Sequence, residues 1–115
     1  MSRHDPWVAF VQMRDAAEKA AQAGAGLTGA EIAANEMLSA ALARWLELIG
    51  EAANRVPSER QAAYPQVPWR ELIGLRNVLI HQYDRVNYSF IARIVNEDLP
   101  PLIAQLRAII EQEKP

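Results

Sequence analysis

Arg76, Asn77, His81 and Tyr83 stand in one short string, Arg76-Asn77-Val78-Leu79-Ile80-His81-Gln82-Tyr83, inside an otherwise apolar helical pattern. Their types suit phosphoryl chemistry. An imidazole gives or takes a proton near neutral pH, a guanidinium stabilises charge on phosphate oxygens, and a carboxamide orients either group. Cleaving an RNA phosphodiester without a metal requires a base for the 2′-hydroxyl, an acid for the leaving oxygen and a cation for the charge on the phosphorane. One chain offers half of that set: His81 as base or acid, Arg76 as charge stabiliser and Asn77 as orienting group. A two-fold dimer placing both copies across one groove would complete it.

At about 100° per residue, Trp69, Leu72, Ile73, Leu79, Ile80 and Tyr83 fall within about 60° of Arg76. This phase predicts a guanidinium in the middle of a buried stripe, where it must be hydrogen-bonded or open onto a cleft. The structural alternative is a buried ion pair with Glu47 or Glu51. Asn77 and His81, about 40° apart, share a second face with Gly74. A glycine there weakens the helix by about 1 kcal/mol and permits close approach of another chain or a substrate. Arg76 and His81 project about 140° apart, so both reach one cleft only if the arginine bends toward it or the groove lies across subunits. A histidine near a helix end also reads as a dipole-stabilised or capping residue, and Tyr83 as the end of the apolar stripe.

The elements that must carry these residues are helical throughout. Pro6 and Trp7 open a first helix whose apolar positions Trp7, Val8, Val11, Ala17 and Ala21 run to Gly24. The segment Gly24-Ala25-Gly26-Leu27-Thr28-Gly29 matches a dinucleotide-binding G-x-G-x-x-G. It follows a helix rather than a strand and has no β-α-β surroundings, so it reads as a turn. Thr28 caps the next helix, with Glu31 completing a capping box. Leu38, Leu42, Trp45, Ile49, Ala53 and Val56 then mark a long amphipathic helix up to Pro57. A short helical turn is expected at Ser58 to Tyr64. Pro68 starts the third major helix, which carries the motif and ends near Tyr83 or Asp84. The last helical pattern runs from Asn87 to Glu111, with Pro100-Pro101 bending it and Asp98 available to cap a restart. No segment alternates like a strand. The predicted fold is all-α, an antiparallel four-helix up-and-down bundle with a short extra helix and a proline-bent last helix.

The chain has 115 residues, half of them hydrophobic, which predicts one helical domain over residues 1–115 with one core. Twelve Lys and Arg against fourteen Asp and Glu give a net charge of −2, unlike the strongly basic surface of a non-specific nucleic-acid binder. Between Arg44 and Arg93, however, seven arginines (44, 55, 60, 70, 76, 85, 93) face five acidic residues (47, 51, 59, 71, 84). That cluster reads either as a phosphate-binding region or as a solvated face with local ion pairs. The absence of cysteine excludes disulfides, thiol catalysis and Cys-ligated zinc and is compatible with a reducing compartment. Glu47 and Glu51 at i, i+4 lack the repeated Glu-x-x-His of a bundle metal site, so no metal and no cofactor is expected. Neither a signal-peptide core nor a membrane span is evident, so the expected location is cytoplasmic.

Four strings, in order, give the chain a family resemblance: Glu47-Leu48-Ile49-Gly50-Glu51-Ala52-Ala53, Tyr64-Pro65-Gln66-Val67-Pro68-Trp69, Leu72 to Asn77 with His81-Gln82-Tyr83, and Glu97-Asp98-Leu99-Pro100. Together they span most of residues 44–110, and the chain resembles the HepT-like branch of the HEPN ribonuclease toxins. The first 40 residues share only the helical character. The resemblance implies a HEPN-like helical homodimer acting as a metal-independent endoribonuclease on tRNA or mRNA, with Arg76 and His81 catalytic. It further implies a type VII-like toxin–antitoxin pair, in which a minimal nucleotidyltransferase antitoxin transfers AMP to the tyrosine matching Tyr83. The alternative from the residues is a non-catalytic nucleotide- or RNA-binding subunit that partners a nucleotidyltransferase. A third reading is a purely structural dimerisation module, which requires Arg76 to be fully paired internally.

Overall fold

The computed structural model describes residues 5–81 and 87–115, with the backbone alone for 77–81. Among them the chain forms α1 (Pro6–Ala23), α2 (Gly29–Ala33), α3 (Glu36–Arg55), α4 (Ser58–Ala62), α5 (Trp69–His81), α6 (Tyr88–Arg93), a π-helical turn (Ile94–Asp98) and α7 (Leu99–Glu113). There is no strand among the described residues. The chain is all-helical, as its hydrophobic periodicity predicts. None of the described helices is long and apolar enough to cross a membrane.

Local chemistry sets most of the helix starts. Asp5 accepts a hydrogen bond from the Trp7 N–H at 2.9 Å, with Pro6 in the first turn, where its missing N–H costs nothing. Thr28 and Glu31 form the expected reciprocal capping box, at 3.1 and 3.0 Å. The helix it starts stops after one turn, and Asn35 caps a new one by accepting from the Leu38 N–H at 3.0 Å. Two helices thus stand where the periodicity suggested one. An asparagine competes with backbone hydrogen bonding and makes a strong cap, which the apolar spacing alone does not register. Asn87 caps α6 in the same way, accepting from Phe90 N–H at 3.0 Å.

α1 packs against both α3 and α7, α3 packs against α5, and α2 packs against α6. Flanked on two sides, α1 buries a wide arc through Phe10, Met13, Ala17 and Ala20, with Trp7 and Val11 on its edge rather than at its centre. Alanines on several faces left its apolar phase ambiguous. Of the expected α3 stripe, Leu42, Ile49, Ala53 and Val56 are buried and Leu38 and Trp45 partly so, while Leu46, outside that set, is fully buried.

Asp98 does not cap a restart. Its side chain makes no capping hydrogen bond, and the helix passes through it with one π-helical turn. The reason lies in the next two residues. Pro100 and Pro101 lack N–H groups, and their rings crowd the carbonyls four residues back. The last amide before them, Leu99 N–H, donates to Ile94 O, five residues back, which widens the turn ahead of the prolines. Asn96 sits on that turn and fastens it to the α1–α2 connection. Its Oδ1 accepts from the Gly26 N–H at 2.7 Å and its Nδ2 donates to Leu27 O at 3.3 Å.

The glycines of the G-x-G-x-x-G segment are accounted for by packing. Gly26 adopts φ 74°, a left-handed conformation that side chains disfavour. A Cβ on Gly29 would come within 2.7 Å of the Ser89 backbone where α2 meets α6. Their spacing serves a turn between helices.

Candidate active site

α5 is seated by its first half. Trp69, Leu72 and Leu75 are buried, and the Trp69 indole N–H donates to Tyr64 O at 3.0 Å. The Phe10 ring meets Trp69 and Tyr64 edge-on, with centroids 6.0 and 5.8 Å apart. The Tyr64 hydroxyl donates to Glu113 Oε2 at 2.7 Å, and Arg60 donates to the same oxygen at 2.7 Å. Burial, with the neighbouring Glu113 carboxylate, pushes the Tyr64 phenol above its ordinary range. These contacts tie the start of α5 to α1 and to the end of α7.

Gly50 sets how closely α3 approaches α5. A Cβ there would lie 2.7 Å from Leu72 O and 3.6 Å from Arg76 N. The two helices therefore meet backbone to backbone at the level of Arg76. The sequence reading assigned Gly50 no role of its own. Its signal was a glycine on the apolar side of a strongly amphipathic helix, between Leu46 and Ala53, where alanine would otherwise be preferred.

Arg76 is exposed, which corrects the expectation that it lies in the middle of a buried stripe. Helical phase counts residues on its own helix and not what stands opposite. Next to the Arg76 backbone N–H, α3 presents Gly50. The proposed pairing with Glu47 or Glu51 is also absent. Both carboxylates turn to Arg44 on their own helix, at 3.4 and 3.6 Å. Among the described residues Arg76 makes no ion pair.

α5 continues without a break from Arg76 to His81, its last residue. Asn77 and His81 have helical backbone, and their side chains lie outside the described residues, as does the whole of Tyr83. An unbroken helix keeps Arg76 and His81 about 7.5 Å apart along the axis and about 140° apart around it. Gly74 lies on the His81 side of the helix, and a Cβ added there would meet none of the described atoms within 4 Å. No three Asp, Glu, His or Cys side chains gather into a metal-binding group among the described residues.

The model of the family described as ribonuclease HepT-like matches residues 13–109. This chain belongs to the HepT-like ribonuclease family. The match contains all of α3, α4 and α5 and ends within α7, so it includes the whole Arg76–His81 span. Among curated relatives, "Putative RNase TTE0752" of Caldanaerobacter subterraneus subsp. tengcongensis is 36% identical over 89 residues, covering 77% of this chain and 80% of that protein. "Putative RNase MJ1380" of Methanocaldococcus jannaschii is 39% identical over 75 residues, 65% of this chain and 69% of that protein. "Probable ribonuclease HepT" of Thermococcus cleftensis is 40% identical over 62 residues, 54% of this chain and 56% of that protein. No solved structure matches the chain. Within the matched span, Arg76 stands exposed on the helix that carries His81.

Proposed function

We propose that this HepT-like chain is a metal-independent endoribonuclease that acts as a homodimer, with Arg76 and His81 as its catalytic residues and Asn77 in support. The observation that carries the reading is the exposed Arg76 guanidinium, with Glu47 and Glu51 turned away to Arg44. No described carboxylate pairs with it, which leaves it to a phosphate in this reading. One imidazole takes the proton of the 2′-hydroxyl, whose oxygen attacks phosphorus. A second, protonated imidazole gives its proton to the departing 5′-oxygen. Arg76 stabilises the charge that builds on the non-bridging oxygens. The products are a 2′,3′-cyclic phosphate and a 5′-hydroxyl end. The angular separation of Arg76 and His81 on one helix favours a groove between two copies, where the histidine of each copy takes one proton-transfer role.

In this reading the chain is the toxin of a type VII-like pair, acting on tRNA or mRNA in the cytoplasm. A nucleotidyltransferase antitoxin silences it by adenylylating Tyr83. The Tyr83 oxygen attacks the α-phosphorus of ATP, pyrophosphate leaves, and an AMP group stands two residues from His81. Its charge and bulk would then exclude substrate phosphate.

The test is to incubate purified wild-type and His81→Ala protein with total cellular RNA in excess chelator and to sequence the new ends. New 5′-hydroxyl ends with the wild type alone are expected. Intact RNA with both proteins, from preparations shown to be unmodified at Tyr83, would sink the reading in favour of a binding subunit.

A further inference from the structure

A cleft of about 310 Å³ opens between the first half of α5 and the α6–π-turn segment. That is the lower end of the range of small-molecule sites, about 300–1,000 Å³. Its floor is the buried Leu72, Leu75 and Ile94. Its rim carries Phe90, Arg93, Glu71 and Asp98, and the Arg93 guanidinium carbon lies 5.2 Å from the Phe90 ring centroid. Arg93, Glu71 and Asp98 are exposed, and none has an ion-pair partner among the described residues.

The occupant must present a flat or apolar body to the floor, hydrogen-bond donors to two carboxylates, and little net charge. Phosphate is repelled by Glu71 and Asp98. A lysine or arginine of another protein is opposed by Arg93. A nucleobase meets all three conditions: it stacks on an aromatic ring or a guanidinium plane and offers N–H groups from its Watson–Crick edge. Ionised carboxylates only accept hydrogen bonds. Guanine presents two adjacent donors, N1–H and the 2-amino group, whereas uracil presents one N–H between two carbonyls that a carboxylate repels. We infer that this cleft is a guanine-binding subsite for single-stranded RNA, with Glu71 and Asp98 as the base-reading residues and Phe90 and Arg93 as the stacking pair.

The inference rests on the ribonuclease reading for its substrate, and geometry links the two. Arg76 lies one helical turn beyond Leu72 on the same helix, so a strand whose base fills the cleft has its backbone within reach of that arginine. The base would thus fix the register of the strand and the arginine would hold its phosphate.

Amide resonances of the 15N-labelled protein, followed during titration with 5′-GMP and with 5′-UMP, test the cleft without any need for cleavage. Shifts at Glu71, Leu72, Phe90, Arg93 and Asp98, with 5′-GMP bound about tenfold or more tightly than 5′-UMP, are expected. Glu71→Gln and Asp98→Asn, both at exposed positions, should abolish that preference while leaving the fold unchanged. In end sequencing they should remove a guanine bias at a fixed offset from the cut. Equal binding of the two nucleotides, or shifts away from these residues, would overturn the assignment. Shifts there only with a basic peptide would overturn it in favour of protein docking. Guanine-selective binding without RNA cleavage would keep the cleft and sink the nuclease reading; cleavage without selective binding would do the reverse.

Discussion

Replacing Arg76 by alanine separates a catalytic cation from a structural one. Because the side chain is exposed and pairs with no described carboxylate, its loss should change unfolding stability by no more than about 0.5 kcal/mol. RNA cleavage should fall by about 10²–10³-fold, the usual cost of removing one preorganised charge stabiliser. Arg76→Lys should recover only part of it, since an ammonium lacks the bidentate fork. A parallel loss of stability and activity would assign Arg76 to the fold instead. Tyr64 behaves in the opposite way, as a polar group that belongs to the core. Burial first, and the Glu113 carboxylate second, raise its folded pKa above the ordinary 10.0. The neutral phenol is therefore the form that folding favours. Its contribution is fully present below pH 10.0 and is lost as pH rises through the higher folded value. Denaturant midpoints measured from pH 9 upward should fall more steeply for the wild type than for Tyr64→Phe, which cannot ionise; parallel curves would refute the assignment.

Helices, unlike single side chains, register a substitution through their neighbours. Gly50→Ala puts a Cβ 2.7 Å from Leu72 O, a backbone atom that cannot swing aside. α3 and α5 must then separate, at a cost of about 2–3 kcal/mol. The denaturant midpoint should drop, and cleavage with it, because α5 carries Arg76; an unchanged midpoint would show that the crossing tolerates a methyl group. Asn96→Ala frees the α1–α2 connection from the π-helical turn. It should cost about 1 kcal/mol and speed amide exchange at Gly26 and Leu27 while leaving cleavage intact. What was legible in the sequence follows from range. The Thr28–Glu31 box, the α3 stripe and the helix that bears the motif depend on residues a few positions apart, and they stand as expected. The Asn96 clip joins residues 70 apart, and the exposure of Arg76 depends on what stands around α5 in the fold rather than on its phase along its own helix. Neither is written in local periodicity. The π-helical turn lies between, since two prolines announce a disturbance without saying whether the helix bends, restarts or widens.

Taken as a whole, a single copy supplies only part of the site proposed above. One exposed arginine and one histidine share a helix but project about 140° apart, and the net charge of −2 gives no general attraction for RNA. The proposed ribonuclease reading therefore has the local arginines act at short range, in a groove that confines the strand. If that groove belongs to two copies and uses one histidine as base and the other as acid, activity is a property of the pair. Mixing wild-type with His81→Ala protein under conditions of subunit exchange then has a definite outcome. Pairs with two intact histidines fall as the square of the wild-type fraction, so an equal mixture retains about a quarter of the activity. Were each copy to work alone, the same mixture would retain about half. Activity that follows the straight line across a series of mixing ratios would show that one histidine suffices, and the second proton transfer would then have to come from water or from another residue of the same copy.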